Sequence, residues 1–81
     1  MFQLSLRHAD HTRRYSIAAA GSSGWEVRLE EDQTLRRHDH YDDWHRVERA
    51  LALFEREALE LMARGWQVSA GRLSDIQSMN R

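Results

Sequence analysis

The chain has 81 residues, with 12 basic side chains that are all arginine, 13 acidic ones, 5 histidines, and neither cysteine nor proline. That length suits one domain, and the missing cysteine excludes disulfide staples and thiolate metal sites. A formal charge of -1 gives no general attraction to nucleic acid or to an anionic membrane, so such binding would have to rest on a local patch.

The first strand is expected at the start of the chain. Phe2, Leu4 and Leu6 alternate with Gln3, Ser5 and Arg7, the period of a half-buried strand. This alternation leaves no sustained apolar stretch of the signal-peptide kind, and no apolar run approaches the roughly 18 residues of a membrane span. The expectation is a cytoplasmic protein with no membrane partner.

Two further strands follow. Tyr15, Ile17 and Ala19 oppose Arg14, Ser16 and Ala18, and Trp25, Val27 and Leu29 oppose Glu26, Arg28 and Glu30. The GSSG segment at 21–24 between them is a turn signal. Parity fixes their register: pairing Ala19 with Trp25, Ile17 with Val27 and Tyr15 with Leu29 puts every apolar residue on one face. A two-residue Ser22-Ser23 turn would flip one strand's apolar set to solvent.

A fourth strand is expected over Thr34 to Tyr41, after a Glu31-Asp32-Gln33 turn. Leu35 and Tyr41 share their parity with Arg37 and Asp39, whose charges are expensive to bury. The expectation is an edge strand whose second half leaves the core, with a bulge as the rival arrangement.

From Asp43 the period becomes helical. Trp44, Val47, Leu51, Phe54, Ala58 and Leu61 form an apolar stripe, widened by Ala50, Leu53 and Met62. Asp42 or Asp43 can cap the start. Gly65 suits the left-handed position after the helix, with Trp66 packing back on Leu61 as in a Schellman ending. The remainder, 67–81, is sparsely apolar and is expected to be a tail, partly ordered or disordered.

The expected fold class is therefore α+β: an antiparallel sheet of three to four strands, a β-meander, packed on one face by a long C-terminal amphipathic helix. Residues 1–66 form the single β-β-β-β-α domain. The segment FEREALELMARGW at 54–66 resembles the end of WGR domains, in which an amphipathic helix finishes in glycine plus an aromatic. The triplet that defines that family is absent, since Trp25 is followed by Glu26 and Val27, and no residue role carries over from it.

Candidate chemistry is sparse. His38 and His40 share one strand face, with His45 at the helix start, but a zinc site needs three or four converging ligands and groups to orient them. His8 and His11 are placed in the first hairpin loop. No metal, cofactor or catalytic residue is assigned, because phosphate-cradling loops, zincin helices and nucleophile elbows are all missing.

The more specific cluster lies on the sheet face away from the helix. There Arg7 is expected near Arg14, and Arg28 opposite Arg36, giving four guanidinium forks suited to an anion or an acidic partner. Glu26 and Glu30 interrupt this patch, and no aromatic side chain interleaves with it as in single-strand binders. The reading that follows is a small, non-enzymatic protein-interaction module, self-associating as a homodimer or binding another protein through its edge strand or open sheet face. The alternative is nucleic-acid or other polyanion binding through Arg7, Arg14, Arg28 and Arg36.

Overall fold

The computed structural model describes residues 2–21 and 23–71. Its elements are β1 (Phe2–His8), β2 (His11–Ala19), β3 (Trp25–Glu31), β4 (Thr34–Tyr41), α1 (Trp44–Ala63) and β5 (Gln67–Gly71). They form one antiparallel sheet in the order β4-β3-β2-β1-β5, with the helix packed against it. The α+β architecture expected from the periodicities is the one observed.

The β2–β3 hairpin has the register that parity requires, with Ala19 opposite Trp25, Ile17 opposite Val27, Tyr15 opposite Leu29 and Arg14 opposite Glu30. A five-residue connection, 20–24, closes it. Gly24 takes φ +77 there, and a Cβ at this position would lie 2.5 Å from the Tyr41 carbonyl oxygen. Both the turn and the neighbouring strand end therefore require glycine.

Two features depart from the expected meander. The β3–β4 turn is a two-residue Asp32-Gln33 connection with φ of 51 and 67, of the I′ kind that matches strand twist. A bulge then leaves Arg36 between the pairs Glu30–Leu35 and Leu29–Arg37. This extra residue reverses the phase of β4, so Leu35 leaves the inner face and is 46% exposed. The second half of β4 stays in the sheet, contrary to expectation. Arg37 and Asp39 face the helix side but are half-buried and paired with each other, and Arg37 Nη2 donates to the Tyr41 hydroxyl at 3.1 Å.

The second departure is β5. The sequence places its residues in the tail, yet Gln67–Gly71 pairs with β1 at the edge opposite β4. Residues 72–81 lie outside the described residues, as does the rest of the tail expectation. The helix links the two edges: its 20 residues span about 30 Å and carry the chain across the sheet.

The core joins Phe2, Leu4, Leu6, Tyr15, Ile17, Val27 and Leu29 of the sheet to Val47, Ala50, Leu51, Phe54, Ala58 and Leu61 of the helix. Leu53 and Met62, expected to widen the stripe, are exposed and lie outside the core. Asp43 is the N-cap, accepting the His45 amide at 2.9 Å. At the other end Trp66 N–H donates to Leu61 O and Gly65 N–H to Met62 O, the two bonds of a Schellman motif. Gly65 holds φ +102 there.

Candidate functional site

Because the helix covers one face of the sheet, the outward residues of every strand form a surface that no other described element covers. Strand pairing maps it in rows. One row runs Ala70, Ser5, Arg14, Glu30 and Leu35; the next runs Gln3, Ser16, Arg28 and His38; a third holds Ala18, Glu26 and His40. Arg7 lies beyond the first row, opposite Thr12.

The four arginines singled out from the sequence do not form one row. Arg7, Arg14 and Arg28 share the open face, but Arg28 stands opposite His38 rather than Arg36. The turn and bulge of β4 cause this change of register. Arg36 instead approaches Glu31, with Nε 3.9 Å from Oε1, and Glu31 is opposite Arg13 on the helix side. Arg7 and Arg14 are diagonal neighbours rather than a direct pair, and Arg7 Nε donates to the Ala9 carbonyl at 3.4 Å.

The charges of this face are mixed. Glu26 lies 3.5 Å from His38 Nε2, while Arg14 and Glu30 are directly opposite across β2 and β3. Yet Arg14, Glu30 and Arg28 make no ion pair among the described residues. The Arg14 guanidinium turns instead to the side chain of Gln3, with the Gln3 amide oriented so that its oxygen accepts. An open depression of about 240 Å³ lies here, and Arg14 and Glu30 both line it with Ser5 and Thr12.

The histidines separate. His38 pairs with Glu26; His40 sits beside Asp42 and within hydrogen-bond distance of the Ser23 carbonyl; His45 lies near Glu48. Among the described residues no three His, Asp or Glu side chains converge as a metal site would require. His8 and His11 are not loop residues but face each other at the ends of β1 and β2. His8 stacks on Trp66 with ring centroids 5.6 Å apart. His11 Nδ1 lies 3.1 Å from Asp32, and this contact raises its pKa above the ordinary 6.5.

One cluster was not legible in the sequence. On the helix side, Glu57 Oε1 accepts from the Tyr15 hydroxyl at 3.0 Å and from Arg13 Nη2 at 2.7 Å. Burial, reinforced by the Glu57 charge, pushes the Tyr15 phenol well above its usual range. Tyr15 is fully buried, so this network ties the helix to the sheet.

No described helix is long and apolar enough to cross a membrane. The chain matches no protein-family model, no curated protein and no solved structure.

Proposed function

We propose that this chain is a small, non-enzymatic protein-interaction module of the cytoplasm that self-associates, with the uncovered sheet face as its contact surface. The observation that carries this reading is the face itself: five strands wide, uncovered by the helix, with Arg14, Arg28 and Glu30 making no ion pair among the described residues. Both sheet edges are less suited to the task. Each edge strand carries a bulge, β4 at Arg36 and β5 at Ser69, and β4 also carries Arg36, Arg37, Asp39 and two histidines. Bulges and charges of this kind discourage strand-to-strand addition.

A small core also favours the reading, since burying surface against a partner stabilises a thin fold by mass action. Light scattering across the micromolar to millimolar range tests it at low ionic strength. The expected outcome is a concentration-dependent mass between one and two chains; a constant monomer mass would refute self-association.

Polyanion binding is the second reading, and Arg7, Arg14 and Arg28 on one face favour it. Glu30, opposite Arg14, and Glu26 flank Arg28 along β3 and would meet phosphates unfavourably. For this reading, Arg14→Glu combined with Arg28→Glu must abolish salt-dependent binding to a single-stranded oligonucleotide.

A further inference from the structure

We infer that the partner on the open face is a second copy of this chain, related by a two-fold axis running parallel to the strands between β2 and β3. This rests on the self-association reading and adds to it the face, the symmetry and the pairing. Such an axis lays β2 of one copy over β3 of the other. Arg14 then faces the partner's Glu30, and Glu30 faces the partner's Arg14, because the two residues share one row on adjacent strands.

The neighbouring row fits the same operation. Arg28 meets the partner's Ser16, since Ser16 and Arg28 are themselves cross-strand neighbours. Further out, Gln3 meets His38 and Ser5 meets Leu35. No pair of like charges is brought together in either row. A contact of this kind is isologous, each patch being complementary to itself.

The intramolecular geometry leaves both groups without a counter-charge among the described residues. Arg14 and Glu30 are opposite each other within one chain yet form no ion pair, and the guanidinium leans away toward Gln3. Stacked sheets lie about 10 Å apart, a gap that an arginine and a glutamate reaching from opposite sides can bridge. Packed sheets also rotate by about 30° relative to each other, which displaces outer residues most and those beside the axis least. Arg14, Ser16, Arg28 and Glu30 all lie beside it.

The area sets the strength. The axis carries β5 beyond the partner's β4, so four strands overlap; about 4.8 Å apart and about 20 Å long, they bury roughly 800 Å² over both copies, the range of weak, transient contacts. Its centre is polar, so the dimer should be weak and sensitive to salt.

Charge reversal tests the arrangement. Arg14→Glu alone places two glutamates against two glutamates, and Glu30→Arg alone places arginines against arginines. Each single variant is expected to weaken self-association by about tenfold or more. Mixing the two variants restores association as a heterodimer, because each reversed residue then meets an opposite charge, and the double variant Arg14→Glu/Glu30→Arg restores it as a homodimer.

A wild-type protein that stays monomeric overturns both the self-association reading and this inference. A wild-type dimer indifferent to the single reversals, or not recovered in the mixture, overturns this inference alone and leaves self-association to another surface. Circular dichroism shows whether each variant folds. If a reversal does not, isotope-filtered NMR on the wild-type dimer decides: contacts from β2 of one copy to β3 of the other support the axis, and contacts confined to an edge strand refute it.

Discussion

The hydroxyl of Tyr15 on β2 donates to Glu57 on α1 at 3.0 Å, and the same carboxylate oxygen lies 2.7 Å from Arg13 Nη2. One acceptor thus serves a buried phenol and one nitrogen of a partly buried guanidinium, holding the helix to the sheet. Replacing Glu57 by leucine leaves both donors without this partner in surroundings poor in water. The expected cost is about 1–3 kcal/mol, read by urea denaturation. Tyr15→Phe removes the hydroxyl instead of orphaning it and should cost less than Glu57→Leu.

The same contact predicts alkaline behaviour. Burial and the nearby Glu57 charge raise the Tyr15 pKa from its ordinary 10.0. A raised pKa contributes stability that is complete below the unfolded value, and this is lost as the pH climbs through the folded one. In a Tyr41→Phe background Tyr15 is the single tyrosine. Absorbance near 295 nm should then show no phenolate through the ordinary tyrosine range while the protein is folded, and ionisation accompanying alkaline unfolding. A normal titration in the folded protein would contradict the buried pairing.

What the sequence reveals of this fold tracks how many constraints act on a residue. The β2–β3 register follows from parity because a shift by one would expose Tyr15 and Ile17 together. The helix ending follows from Gly65 and Trp66, since few residues tolerate that φ. Arg36 escaped because a bulge changes the phase of β4 without any glycine to announce it. Residues 67–71 escaped because QVSAG has little alternation of its own and becomes a strand by pairing with β1. Glu57 escaped because its role depends on Tyr15 and Arg13, more than 40 residues away. The open face was legible, but its arginine row was not, since the placement of Arg36 depended on the least constrained strand.

Gly65 gives a direct test of the helix ending. At φ +102 an alanine is strained, although a Cβ would meet the nearest His8 atom at an ordinary 3.5 Å. The penalty is therefore conformational rather than steric. Gly65→Ala should destabilise the fold by about 1–3 kcal/mol, measured by thermal or urea unfolding. A variant as stable as the parent would mean that the Schellman bonds of Gly65 and Trp66 are not retained in solution.

Phe54 and Leu53 separate the helix stripe expected from periodicity from the stripe that is buried. Phe54 is 2% exposed, packs against Tyr15 with ring centroids 4.7 Å apart, and has the Arg37 guanidinium 5.9 Å from its own centroid. Leu53 is 51% exposed. Phe54→Ala should cost about 3–5 kcal/mol, enough to unfold a domain this small at ambient temperature. Leu53→Ala should stay within about 0.5 kcal/mol. Comparable losses at the two positions would place the helix in a different rotation on the sheet.

His11 and Asp32 clasp the β1–β2 and β3–β4 hairpins together. Asp32 accepts the Thr12 amide at 2.9 Å with one oxygen and meets His11 Nδ1 at 3.1 Å with the other. Donating a hydrogen bond to Asp32 raises the His11 pKa above 6.5, while the Thr12 amide and then His11 lower that of Asp32 below 3.8. The His11 contribution is complete below 6.5 and is lost as the pH rises through its raised value; the Asp32 contribution is complete above 3.8 and is lost as the pH falls through its lowered one. Both act together between those two reference values. His11→Asn should therefore lower the melting temperature more at pH 5 than at pH 8, with a small effect because both groups are exposed. NMR titration should show His11 titrating above 6.5 in the parent and returning toward that value in Asp32→Asn. An equal loss at both pH values, or an unshifted His11, would show that the clasp does not hold in solution.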